Sequence, residues 1–237
     1  MSKSVAGFSV EFAMLNPAGF YLYTLYNLQG TVDPMIGKTG KIEVNDIFFA
    51  LHAFALSSLQ FTQIFLYDRG KQKGINYWIV AFLVVIALLV NIFFTVEAIK
   101  PEDINQQWGT IRMCGYSKAA ITFVKYMPQV YLNWKRKSTV GWSLENVLLD
   151  FTGGSFSLAQ QIIGSVALGK PFFDPTDQGF NIVKFLLSIF AIMFDLIFMF
   201  QHYVLYRDKW ANKGKMDDRM GKLNGHKGGD AKYKDSQ

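Results

Sequence analysis

The 237-residue chain is short of the parts that most enzyme chemistry is built from. It has one cysteine, Cys114, so no disulfide can form within it, and a lone thiol of this kind is expected to pack as a small apolar residue. It shows no glycine loop to cradle a phosphate, no cluster of metal ligands and no nucleophile beside a base. The chain is therefore expected to be no enzyme and to use no cofactor or metal. The stretch from Met1 to Ser9 is too short and polar for the apolar core of a cleavable signal, which leaves the first apolar block as the expected insertion signal.

What the chain does have is apolar length. Hydrophobic residues make up 51% of it, against a formal charge of +6, and they fall in blocks rather than in the periodic pattern of a soluble domain. Six blocks of about 20 residues stand at 9–29, 46–67, 77–96, 110–132, 143–168 and 181–206. At ~1.5 Å rise per residue such a block matches the hydrocarbon thickness of a bilayer. The third block, Tyr77 to Val96, has no formal charge. The aromatic residues, 16% of the chain, read as lipid-facing surface and interfacial belts.

The loops alternate in charge. Lys3, then Arg69, Lys71 and Lys73, then Lys135, Arg136 and Lys137, then the tail after Arg207 form a basic set; Asp33 to Glu43, Glu97 to Asp103, and Lys170 with Asp174 and Asp177 form a neutral or acidic one. The positive-inside rule puts the basic set, and both termini, in the cytosol. From Arg207 to Gln237 there are nine Lys or Arg against five Asp, with five glycines. The tail reads as a disordered, solvated segment near anionic headgroups. Without aromatic interleaving or a folded platform, nucleic acid is not an expected partner.

An internal repeat organises the chain. Lys3 to Gly19 align without gaps on Lys137 to Gly153, with Lys3, Ser4, Gly7, Ser9, Glu11, Leu15 and Gly19 identical to their counterparts. Four blocks separate the copies, so both copies lie on one side of the membrane and the repeats are parallel. The second copy follows a span that ends in Pro128-Gln129, whereas two residues precede the first. The repeat thus predicts that one helix is missing at the N-terminus.

Charged groups at membrane depth mark the chemistry. Asp46, Asp150 and Asp195 lie in or at the edges of spans, and Lys118 and Lys125 lie in the fourth. Each costs roughly 2.5–3.5 kcal/mol at mid-bilayer unless it meets a partner or an aqueous cavity. A structural Lys–Asp pair is the plain explanation; a substrate and proton site is the favoured one. Lys118 and Lys125 are seven apart and share a helix face, which Gln129 continues. Pro128 removes a backbone donor there. Asn146 and Asp150 share a face of the fifth span, and Gly153-Gly154 after them would permit close helix approach or a local break. Two cations, a carboxylate and two amides would suit a zwitterionic amino acid. Asp150 is the candidate proton carrier, although desolvation favours the neutral form of a carboxyl and a nearby ammonium the charged form. Asp46, opening its span, also suits a capping role. His52 and His202 are expected to pack at interfaces rather than to relay protons.

These residues carry a resemblance. Lys125 to Asn133, with Pro128-Gln129 at their centre, resemble the PQ-loop motif, completed by Lys137-Ser138 and Gly141-Trp142-Ser143. Asn146 to Ser157, Asn45 to Phe49 with Leu51-His52-Ala53, and Gln201-His202 before Leu205-Tyr206-Arg207 are similar to the cystinosin family within that class. The likeness runs from residue 3 to 207. It implies an all-α, polytopic, SWEET-like fold of two three-helix bundles and a linker helix, here without the first helix and so with about six transmembrane helices. Residues 1–67 would be the incomplete first bundle, 68–107 the linker region, 108–207 the second bundle and 208–237 the tail. It further implies a symporter of L-cystine and protons in a lysosomal or vacuolar membrane, with a cytosolic C-terminus. Asn16, Lys118, Lys125, Asn133, Asn146 and Asp150 would line the cystine site. Asp150, Asp46 and Asp195 would couple to protons, and Pro128 and Gln129 would form a hinge. The chain departs from the family in its missing first PQ pair, its missing lumenal N-terminal region, and a tail in which Tyr233 precedes Ser236 rather than a bulky apolar residue. A carrier of cationic amino acids or sugars, or a membrane receptor or adaptor, are the alternatives.

Overall fold

The structure, a computed structural model, describes residues 4–32, 44–72, 74–99, 109–167, 169 and 182–207. The loop 33–43, Lys3 and Lys73, the segments 100–108 and 170–181, and the tail 208–237 lie outside the described residues. Among the described residues the chain is all helical: α1 Val10–Val32, α2 Val44–Leu66, α3 Tyr77–Ile99, α4 Thr110–Arg136, α5 Leu144–Ala167 and α6 Ile182–Phe200, the last running on into a π-helical turn, Gln201–Leu205. By length and composition α2, α3 and the α6 unit are apolar enough to cross a membrane. The other three are as long, but polar side chains dilute their hydropathy.

The two copies of the repeat start their helices alike. Ser9 caps α1: its Oγ accepts from Phe12 N at 3.2 Å and donates to Glu11 Oε2 at 2.8 Å. Ser143 does the same before α5, accepting from Asn146 N at 3.2 Å and donating to Glu145 Oε2 at 3.1 Å. A serine cap with an acidic first turn satisfies orphan backbone donors and favours the helix dipole.

The copies also touch each other at equivalent residues. Phe8 stacks on its counterpart Trp142, centroids 5.7 Å apart and planes at 18°. Gly7 lies against Gly141 so closely that a Cβ on Gly7 would sit 2.5 Å from Gly141 Cα and 2.4 Å from Val140 O. Gly141 itself has φ +91°, a backbone region where a Cβ is strained. Two glycines therefore meet where the repeats meet, and no other residue type fits at either.

From that contact α1 and α4 run antiparallel, since Gln129, Lys125 and Lys118 of α4 meet residues 7–9, 16 and 20 in turn. Helix α2 packs on α1, α3 on α4, and α6 on both α4 and α5. One core cluster gathers Leu15, Tyr26, Ala50, Ile86, Ile121 and Val183 from five helices, with Cys114 buried among them as a small apolar side chain. Between lipid-solvated helices such packing works through van der Waals contact rather than release of water. Helix α3 turns Ile79, Phe82, Leu83 and Val90 partly inward around Ile86 and leaves much of its other apolar surface, Tyr77 and Trp78 included, outward.

The glycine pair in α5 differs from expectation. Helix α5 runs unbroken through it. Gly153 faces open space, and only Gly154 approaches α6, where a Cβ would lie 3.4 Å from Ala191 Cβ, an ordinary contact.

Candidate functional site

Pro128 lies inside α4 without ending it, and Pro17 lies inside α1. A proline leaves the carbonyl four residues earlier without its helical donor, so each of these two packed helices carries one weakened turn. Next to Pro128, Gln129 is fully buried and ties α4 to the start of α1. Its Oε1 accepts from Ser9 N at 2.7 Å, and its Nε2 donates to Gly7 O at 3.1 Å and to Asn133 Oδ1 at 3.0 Å. Asn133 Nδ2 passes the chain to Gln201 Oε1 at 3.0 Å, and Gln201 Nε2 returns to Val130 O at 3.0 Å. Buried amides so connected hold backbone geometry because each bond lost would leave a desolvated polar group.

Above this anchor a cavity of about 350 Å³ opens between α1, α2, α4, α5 and α6, at the end of the bundle where α1 and α5 begin and α2 ends. Its size falls in the range of small-molecule sites. Of the residues singled out in the sequence, it collects Asn16, Lys125, Asn146, Asp150 and Asp195. Lys125 Nζ donates to Asn16 Oδ1 at 2.9 Å and stands 4.5 Å from the Tyr126 ring centroid and 5.2 Å from that of Phe12, a cation held by an amide and by aromatic faces. Tyr126 Oη donates to Asp150 Oδ2 at 2.6 Å, a charge-assisted length. The Tyr126 ring is clamped against Phe194, centroids 4.9 Å apart. Asp195 is 1% exposed, and its Oδ2 has no hydrogen-bond partner among the described residues. Asn16 and Asp150 are counterparts in the repeat, so the duplication places one amide and one carboxylate on the two sides of Lys125.

The remaining residues lie elsewhere. Lys118 is buried deeper, its Nζ 3.6 Å over the Phe20 ring, and does not line the cavity. Asn133 and Gln129 belong to the buried amide chain, not to the cavity wall. Asp46, in the first turn of α2, meets Lys184 of α6, whose Nζ lies 3.3 Å from both carboxylate oxygens and donates to Gln160 Oε1 at 3.0 Å. His202 is buried with its Nδ1 2.8 Å from Thr139 Oγ1, and His52 is exposed. Sequence reading missed Tyr126, Gln60, Gln63 and Lys184. Tyr126 stood inside the motif beside Lys125, and Lys184 was a lone ammonium near the start of an apolar block, a signal as plain as that of Asp46.

Residues 110–167 match the PQ loop repeat family. Over 87% of its length the chain is 40% identical to cystinosin of Bos taurus, of which the match takes in 57%. It is 38% identical to the cystinosin homolog of Dictyostelium discoideum, over 87% of this chain and 72% of that protein. The cystine transporter of Saccharomyces cerevisiae is 29% identical over 87% of this chain and 85% of its own length. The chain thus spans little more than half of the bovine relative.

Proposed function

The chain belongs to the cystinosin family, and from that premise we propose that it is a transporter, not an enzyme, moving L-cystine with protons from the lumen of a lysosome or vacuole into the cytosol. The observation that carries the reading is the convergence of Lys125, Asn16, Tyr126, Asp150 and Asp195 on one cavity within the helical bundle. Cystine is two zwitterions joined by a disulfide. An ammonium at Lys125 answers a substrate carboxylate, and a carboxylate at Asp150 answers a substrate ammonium. In a symport the proton and the substrate ride together. Asp150 takes up its proton as cystine binds, still accepts a hydrogen bond from the substrate ammonium through its other oxygen, and gives the proton up as the substrate leaves. Asp195, whose buried Oδ2 has no hydrogen-bond partner among the described residues, is a second place for a proton. Asp46, tied to Lys184, acts between α2 and α6, away from the cavity. Lys118 supports the wall behind Phe20, Asn133 the amide anchor, and Pro128 with Gln129 the turn about which the halves move.

The contact between Gly7-Phe8 and Gly141-Trp142 supports reading 1–67 and 108–207 as two copies of one bundle joined through 68–107. The basic loops support a cytosolic C-terminus, so the cavity opens toward the cytosol. Purified full-length chain in proteoliposomes is expected to accumulate labelled cystine faster when the substrate side is made acidic. Asp150→Asn should abolish the response to the gradient; a variant that still responds like the parent rules out the coupling role of Asp150.

A further inference from the structure

Helix α2 is apolar enough to cross a membrane, yet its C-terminal half is studded with polar side chains. The hydroxyls of Ser57, Ser58 and Thr62 are turned back on their own helix: Ser57 and Ser58 Oγ donate to Phe54 O at 3.1 and 2.8 Å, and Thr62 Oγ1 donates to Ser58 O at 2.9 Å. Gln60 and Gln63 behave differently. They are three residues apart, hence on one face, and both line the cavity that holds Lys125 and Asp150. Neither carboxamide has a hydrogen-bond partner among the described residues. Lipid offers amides nothing, so two unpaired amides on a membrane helix need a wet or occupied space in front of them.

The cavity is unevenly charged. Lys125 and Asp150, on α4 and α5, can neutralise one amino-acid end of a substrate. The second end of a disulfide-linked pair is also a zwitterion, but among the described residues no further ammonium lines the cavity. A carboxamide supplies N–H donors for a carboxylate and a carbonyl acceptor for an ammonium. Two of them suit a group with both charges and no net charge.

We infer that Gln60 and Gln63 form a second, charge-free subsite that takes the distal amino-acid end of the substrate, and so select a two-ended disulfide over a one-ended one. The inference rests on the transport reading above. The test compares binding of L-cystine with that of S-methylthio-L-cysteine, which keeps the disulfide and one amino-acid end, on the purified full-length chain. The parent should bind cystine more tightly. Gln60→Leu/Gln63→Leu should weaken cystine roughly ten- to hundredfold, the scale of lost hydrogen bonds to charged groups, leave the one-ended ligand unchanged and close the gap. Gln63→Leu alone should close part of it, should the double variant fold poorly. An unchanged gap, equal weakening of both ligands, or a parent that does not distinguish them overturns the subsite. A parent that binds neither ligand refutes the cystine reading itself.

Discussion

Adding one methyl group to Gly7 should unseat the contact between the two repeats. An ideal Cβ there would lie 2.4 Å from Val140 O and 2.5 Å from Gly141 Cα, both backbone atoms, so no side-chain rotation relieves the clash. Overpacking of this kind costs about 1–3 kcal/mol. For a chain of this size, that is a fall of roughly 2–12 °C in melting temperature. Gly141→Ala meets Gly7 Cα at 2.8 Å and must also hold φ +91°, adding about 1–2 kcal/mol of left-handed strain; it should be the worse of the two. Gly153→Ala is the control. Nothing lies within 4 Å of its Cβ, it sits inside α5, and exchanging Gly for Ala in a helix stabilises by about 0.5–1 kcal/mol, so its melting temperature should rise slightly. Gly7→Ala/Gly141→Ala should cost less than the sum, because the first methyl already separates the segments. Thermal melting of the full-length chain in detergent reads all four. A Gly7→Ala variant that melts with the parent, or a Gly153→Ala variant that falls as far, would show that the repeats do not meet through these glycines.

Tyr126→Phe removes the 2.6 Å bond to Asp150 but keeps the ring against Phe194; cystine uptake should fall about tenfold or more while the melting temperature barely moves, and unaltered uptake would contradict a role for the hydroxyl. Gln129→Leu strips Ser9 N and Gly7 O of their buried partners, at about 1–3 kcal/mol each, and hydrogen exchange should show the amide of Ser9 losing protection; retained protection would mean that another group holds it. Lys184→Met and Asp46→Asn each break a part-buried ion pair and should cost about 1–3 kcal/mol. Their combination should cost less than the sum in thermal melts, and strict additivity would deny the pairing.

Much of the fold was legible because membrane helices announce themselves by length and hydropathy. Block ends were less so. Helix α3 continues past Val96 through Glu97 to Ile99, and α4 continues through Lys135 and Arg136, because charged residues that read as loop remain helical at a helix end. The shared face of Lys118, Lys125 and Gln129 followed from spacing alone. What spacing could not say is how α1 aligns against it. That register puts Phe20 over Lys118 and Asn16 against Lys125, so two lysines on one face have different surroundings. Asn133 reads like its neighbours in the motif, yet one further turn along α4 carries it out of the cavity and into contact with Gln201. The ion pair of Asp46 with Lys184 joins residues 138 apart, beyond any local pattern.

Two groups among the residues that lower the hydropathy of α1, α4 and α5 differ physically. From Asn133 to Gln129 every amide is answered by another polar group, and the chain of bonds ends on backbone carbonyls. From Lys125 onward the groups are only partly answered: Asp195 Oδ2 and the carboxamides of Gln60, Gln63 and Asn146 have no hydrogen-bond partner among the described residues. In hydrocarbon an unanswered polar group costs several kcal/mol, so a set of them persists only where water or a solute reaches. The boundary between the two groups falls along one face of α4, within about two helical turns. It separates the part of the bundle that must stay closed, the seam between the repeats, from the part that must open to a polar cargo. Stability and passage are therefore built from the same kinds of side chain, and between these two groups the completeness of their hydrogen bonding differs.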